Sequence, residues 1–228
     1  MKRIGVLTSG GDTPGMNAAI RAVFKTGVDI DLQVMGIYHG YKGLIEGRVG
    51  YLAHADVESK MHKGGTILRT ARSEEFKTEG GIEKAISVLR AYEIEGLIVI
   101  GGDGSFKGAD ALSKRGIPVI GIPGTIDNDM GYTDFTIGFD TAVNNVMNEI
   151  YKIRDTMRAH DRVGVIEVMG RRCGDIALWA GVAGAADIIL VPERPLSWAD
   201  AANRLAANKL RGQLTSIVMI AEGAGKAE

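Results

Sequence analysis

The sequence has one cysteine, Cys173, among 228 residues. An internal disulfide is therefore excluded, and a reducing, cytoplasmic compartment fits. No apolar run approaches the 18 or so residues needed to span a bilayer. The N-terminal Met1-Lys2-Arg3-Ile4-Gly5-Val6-Leu7 begins like a short signal peptide, but its apolar stretch ends at Thr8-Ser9-Gly10-Gly11-Asp12, too soon for a signal core. Charge of one sign is lacking too. Lys and Arg number 27 against 28 Asp and Glu, a net of −1, so there is no nucleic-acid or membrane footprint. Any phosphate binding must come from local arrangement. His39, His54, His62 and His160 have no metal-ligand spacing. Short-period repeats, low-complexity tracts, the Walker A pattern and G-x-G-x-x-G are all missing.

Glycine is what the chain has in excess. There are 32, about twice the usual share of roughly 7%, and they cluster, which argues for tight loops. Short apolar runs alternate with helix-periodic segments. Strands are expected over residues 3–7, 32–38, 94–100, 117–122, 162–168, 187–191 and 216–221. Helices are expected over 15–28, 81–92, 105–115, 140–159, 174–183 and 198–210. The runs IEGLIVI and IPVIGI lack alternation, as in strands buried on both faces of a parallel sheet. In the long helix, Val143, Val146, Ile150, Ile153 and Met157 step by three and four. The alternation predicts an α/β fold in two Rossmann-like domains, each a three-layer parallel sheet covered by helices on both faces. The expected division lies near Gly138, giving domains 1–138 and 139–228.

Three glycine motifs follow expected strands: Ser9-Gly10-Gly11-Asp12-Thr13-Pro14-Gly15, Gly101-Gly102-Asp103-Gly104-Ser105 and Pro123-Gly124-Thr125-Ile126-Asp127-Asn128-Asp129. Strand carboxyl ends line one edge of a parallel sheet, where ligands bind. Glycines let backbone amides approach phosphate oxygens, and helix N-termini add positive potential. Any one loop alone reads better as a plain strand-to-helix turn. Three on one edge, with carboxylates among them, favour phosphate with a divalent cation. Asp103 is then the natural magnesium contact. Asp127 and Asp129 are placed to take a proton from an attacking hydroxyl; the alternative reading is an Asx-rich turn.

The strings GGDTPGMNAAIR, GGDGS, PGTIDND and EVMGRRCGDIAL resemble the bacterial ATP-dependent 6-phosphofructokinase family, collinearly over the whole chain. PGTIDND and MGR are specific, whereas GGDG also occurs in NAD kinases and diacylglycerol kinases. The resemblance implies transfer of the γ-phosphoryl group of Mg-ATP to the 1-hydroxyl of fructose 6-phosphate, in a cleft between two domains. Gly11, Tyr41, Arg72, Ser73 and the Gly102, Asp103, Gly104, Ser105 loop would bind ATP, with Asp103 holding Mg2+. Thr125, Ile126, Asp127, Arg162, Met169, Gly170, Arg171 and Glu222 would bind the sugar phosphate. Asp127 would be the base, Asp129 its support, and Arg72 and Arg171 the stabilisers of the transferring group. Taken singly, Arg72, Arg162 and Arg171 could each be a surface charge. Gly104 and Gly124 are the residues of the ATP-using branch; the pyrophosphate-using relatives carry Asp and Lys there.

The resemblance also implies a homo-oligomer, with a tetramer expected, in which Arg162 reaches a neighbour's sugar site. An effector site for ADP or phosphoenolpyruvate would use Arg21, Lys25, Arg154, Asp187, Arg211 and Gln213. Lys25 replaces an arginine and loses its bidentate fork. Gln213 and Thr215 replace a lysine and a histidine, and Asp187 replaces a glutamate. The family continues well beyond Glu222 with further cationic contacts to the sugar phosphate, so residues 1–228 alone are expected to hold nucleotide better than sugar. Two alternatives stand beside this reading. One is an NAD-kinase or lipid-kinase relative sharing GGDG, opposed by PGTIDND and MGRR. The other is a catalytically silent nucleotide sensor, opposed by the retention of Asp103, Asp127 and Arg171.

Overall fold

Residues Arg3–Ser9 form the first strand, β1, and six of the seven are buried. Such a run needs cover on both faces, which helices supply. The structure, a computed structural model, describes residues 2–224. In chain order the elements are α1 (Met16–Asp29), β2 (Gln33–Ile37), α2 (Gly40–Ile45), β3 (Val49–Tyr51), α3 (His54–Val57) and a 3-10 turn (Glu75–Lys77). Next come α4 (Glu79–Ala91), β4 (Gly96–Gly101), α5 (Asp103–Ser113), β5 (Val119–Thr125), β6 (Ile137–Gly138) and α6 (Phe139–Ala159). The last are β7 (Val163–Val168), α7 (Asp175–Ala183), β8 (Ile188–Leu190), α8 (Trp198–Leu210) and β9 (Ser216–Ala221).

Two units result: residues 1–125 with 136–138, and 126–135 with 139–228. The sequence expectation of a division at 138 thus differs over residues 126–135, which pack with the second unit. Their Ile126 joins the core built on Phe139, Val143, Ile150 and Ile176.

In the first unit six strands lie in the order β3-β2-β1-β4-β5-β6. All pairings are parallel except β2 with β3, which is antiparallel. One apolar cluster holds Leu7, Ile37, Leu44, Ile86, Leu97 and Leu112; the other holds Val6, Met16, Ile20, Phe24, Leu68 and Ile100. Each fully buried side chain of this kind contributes about 1.5–3 kcal/mol. Thr78 caps α4 by accepting from the amide of Gly81 at 3.1 Å.

The second unit holds a parallel sheet in the order β7-β9-β8. The stripe expected on the long helix is its core side: Val143 and Ile150 are buried, with Phe139 fully buried at its start. Ser197 caps α8 by accepting from the amide of Asp200.

Burial on both faces does not hold throughout among the described residues. Ile120 on β5 is 63% exposed, and Val163 and Val165 on β7 are exposed while Gly164 and Val168 are buried. Apolarity without alternation indicates a strand, but covering its second face requires an element in space. Five short elements, α2, β3, α3, β6 and the 3-10 turn, escaped the sequence reading. Each spans two to six residues, too few to show a period.

Candidate functional site

In the first unit the sheet register gathers the glycine loops. Ser9 pairs with Gly101, and Gly101 with Pro123, so the three loops leave neighbouring strands side by side. Gly10 has φ +88, a left-handed turn out of β1. Asp103 opens α5, whose first-turn amides point into the same edge. The chain from Thr66 to Thr70 closes the other side of β1. Thr8 donates to the Arg69 carbonyl at 2.9 Å, and Thr70 donates to the Gly10 carbonyl at 2.6 Å. This stretch leads to Arg72, whose side chain is exposed. Ser73 accepts from the Phe76 amide at 3.2 Å and so starts the 3-10 turn.

Tyr41 is the exception among the expected nucleotide contacts. It is buried, stacked on Phe76 with ring centroids 4.0 Å apart. Its hydroxyl donates to the Ser105 carbonyl at 2.6 Å. Burial pushes its phenol well above the ordinary range. Tyr41 therefore reaches the loop through the backbone of Ser105, itself buried, rather than through a free side chain.

Asp103 has an exposed carboxylate, with Lys107 one turn along at 2.7 Å. No cluster of three or more His, Cys, Asp or Glu residues suited to a metal occurs among the described residues. A single accessible carboxylate beside a phosphate-binding loop suits Mg2+, which commonly takes one or two protein oxygens plus substrate phosphates and water. It does not suit zinc.

In the second unit Asp127, Gly170, Arg171 and Glu222 come together. Asp127 is 6% exposed, and the Arg171 guanidinium Nε lies 3.4 Å from its Oδ2. Asn128, at φ +54, donates to Asp175 at the start of α7 at 2.8 Å. That bond pins the loop that carries Asp127. Met169, Gly170 and Arg171 follow β7, and Met169 is 61% exposed. Glu222 follows β9, and one of its oxygens accepts from the amides of Gly170 at 3.2 Å and Arg171 at 2.6 Å. Asp129 is exposed. Thr125 ends β5 in the first unit, and its carbonyl accepts from Thr136 at 2.6 Å. Arg162 is exposed at the entry of β7.

The expected effector residues divide between the units. In the first, Lys25 and Arg21 flank the Glu58 carboxylate at 3.1 and 3.7 Å, and these cations lower its pKa, the Lys25 hydrogen bond most. In the second, Arg154 donates to the carbonyls of Gly184 and Ala185. Asp187 accepts from Gln213 and from the Ile217 amide, while Arg211 is exposed.

A family model described as Phosphofructokinase matches residues 3–228. The chain is 56% identical over 228 residues to the ATP-dependent 6-phosphofructokinase of Clostridium novyi, covering all of this chain and 72% of that protein. The chain belongs to the phosphofructokinase family. Phosphofructokinase from Pichia pastoris in the T-state superposes with a TM-score of 0.93 at 38% identity, over 98% of this chain and 26% of the yeast chain. A pyrophosphate-dependent phosphofructokinase from Marinobacter aquaeolei superposes at 0.87 with 25% identity, over 98% of this chain and 61% of that one. The resemblance read from the sequence motifs and the expected α/β fold class both hold. The family's reaction, under the name the Clostridium relatives carry, takes ATP and fructose 6-phosphate to ADP and fructose 1,6-bisphosphate. No described helix is long and apolar enough to cross a membrane.

Several pairings escaped sequence reasoning, although Tyr41 and Ser105 were each expected at the nucleotide site. Asn128 and Asp175 lie 47 positions apart, Tyr41 and Ser105 64 positions apart. Nothing in local spacing signals either pair. Glu58 lies just past α3, whose four residues are too few to show a period.

Proposed function

We propose that this chain phosphorylates fructose 6-phosphate at its 1-hydroxyl, with Asp127 as general base and Arg171 as its charge partner. The supporting observation is the Asp127–Arg171 pair, a nearly buried carboxylate beside an exposed guanidinium. The base removes the hydroxyl proton as the oxygen forms its bond to the γ-phosphorus. The bond from that phosphorus to the bridging oxygen breaks, and ADP leaves with the electron pair. Arg171 stabilises the charge spread over the transferring oxygens, and Arg72, in the first unit, would pair with the nucleotide phosphates.

On the nucleotide side, Gly11, Gly102, Gly104 and the Ser105 turn offer backbone amides to the phosphates, and Asp103 would hold magnesium. When bound, the cation neutralises phosphate charge. Asp129 supports the Asp127 loop, and Thr125, Ile126, Met169, Gly170 and Glu222 line the sugar. Space supports ATP as donor: a Cβ added at Gly104 meets no atom within 4 Å, which leaves room for a phosphate. An aspartate there would place a like charge against it.

Arg162 would serve a neighbouring subunit's sugar phosphate, so the working form is a homo-oligomer, with a tetramer as our reading. The effector set Arg21, Lys25, Arg154, Asp187, Arg211 and Gln213 would take ADP or phosphoenolpyruvate, in line with a relative crystallised in a T-state. A cytoplasmic setting, where both substrates occur, completes the proposal.

The test is a coupled assay with ATP and with pyrophosphate, each offered fructose 6-phosphate, glucose 6-phosphate and a diacylglycerol. We expect turnover only with ATP and fructose 6-phosphate. Nucleotide binding without turnover on any acceptor would support the sensor reading.

A further inference from the structure

Arg171 is held in an unusual backbone state. Its φ is +55, a left-handed conformation that non-glycine residues seldom adopt. Gly170 before it sits at φ +137, and a Cβ there would lie 2.4 Å from the Cys173 carbonyl. A loop with two such residues persists only if its surroundings fix it. The fixing groups come from the exit of β9. Glu222 accepts from both amides, Gly170 at 3.2 Å and Arg171 at 2.6 Å. The next residue, Gly223, packs against the other side of the same residue: a Cβ there would lie 2.3 Å from the Arg171 carbonyl oxygen. One segment thus grips the Arg171 backbone by its N–H and by its carbonyl. The guanidinium so aimed lies 3.4 Å from Asp127.

We propose that Glu222–Gly223 is a positioning cradle for Arg171, through which Glu222 acts on the chemical step and not only as a contact for sugar hydroxyls. This rests on the assignment of Arg171 to the transferring phosphoryl group. Charge-assisted bonds from a carboxylate to two amides are the strong kind. Their loss releases the left-handed turn to ordinary backbone conformations and turns the guanidinium away from its target. A misplacement of about 1 Å can cost on the order of a hundredfold in rate.

The experiment measures kcat and the sugar KM for Glu222→Gln, Glu222→Ala, Gly223→Ala and Arg171→Ala in the full chain, together with amide hydrogen exchange at Gly170 and Arg171. Glutamine keeps an oxygen acceptor in the same place. We therefore expect it to retain kcat within about threefold and to keep both amides protected, at the scale of a weakened but unbroken hydrogen bond. Glu222→Ala and Gly223→Ala should lower kcat roughly 10- to 100-fold and, for Glu222→Ala, expose the amides. A role as sugar ligand alone predicts that Gln and Ala raise the sugar KM alike with kcat unchanged, and a merely structural role predicts lost thermal stability with both constants intact. Either pattern overturns the cradle. If the alanine variants fail to fold, the near-isosteric Glu222→Gln still decides: a kcat fallen by more than tenfold with both amides protected rejects the proposal. Arg171→Ala separates the two layers. No loss of kcat there refutes the assignment of Arg171 itself, whereas a large loss there with none in Glu222→Ala and Gly223→Ala refutes the cradle.

Discussion

The Tyr41 hydroxyl donates to the Ser105 carbonyl at 2.6 Å, tying α2 to the first turn of α5 across 64 positions of sequence. Gly108 makes room for the ring: a Cβ there would lie 2.7 Å from it. Tyr41→Phe keeps the stack on Phe76 and removes only the bond. We expect a stability loss of about 0.5–1.5 kcal/mol and an ATP affinity lowered about two- to fivefold, with the sugar KM unchanged. Calorimetric titration with ATP and a urea melt measure both.

Asp127→Ser should lower kcat by about 10²- to 10⁴-fold while nucleotide affinity stays nearly intact. Asp127 lies in the second unit and the glycine loops in the first, so loss of the base leaves the phosphate amides in place. Retention of more than about a tenth of kcat would remove Asp127 from its role.

Gly104→Asp should weaken ATP binding by about tenfold or more through like-charge repulsion at the phosphates, with little effect on stability, since the position is exposed and its Cβ meets nothing. Parallel measurements of ATP affinity and melting temperature test this. An unchanged ATP affinity would show that the triphosphate lies elsewhere.

Glu58 occupies the cations Lys25 and Arg21, so an anion bound at the proposed effector site would have to displace it. Phosphoenolpyruvate should therefore inhibit only at high concentration. Glu58→Ala should lower the concentration needed by about three- to tenfold, the scale set by removing one competing charge at a partly exposed pair. Inhibition curves for the two proteins decide it. The carboxylate pKa is lowered by its cations, so this competition is present above the ordinary glutamate pKa. It is lost as pH falls through the depressed value.

The Cys173 thiol is pushed up to about 11 from 9.0, mainly by burial. The thiolate reacts and the thiol does not. Below pH 9 its alkylation should therefore run roughly a hundredfold slower than that of a free thiol, reflecting the smaller thiolate fraction. Rates with iodoacetamide across pH 7–9 in the native and urea-unfolded protein give the comparison. Equal rates would mean that the site opens freely.

The order of strands and helices was legible in the sequence, because short apolar runs and periods near 3.6 are properties of consecutive residues. So was the gathering of Ser9, Gly101 and Pro123, since loops leaving parallel strands share an edge by construction. The residue types at Asp103, Asp127 and Arg171 were legible through motifs whose spacing is local. The sequence could not determine which residues fix those motifs in space. Tyr41 is expected from the motifs as a nucleotide contact, but folding buries it against Phe76 and Ser105. Glu222 reads as a ligand until β9 lies beside β7 and brings its carboxylate to two amides some fifty positions away. The exposed face of Ile120 was decided in the same way, by which elements lie against it. Periodicity is written along the chain, but long-range hydrogen bonds and burial depend on distances that only sheet pairing and packing create.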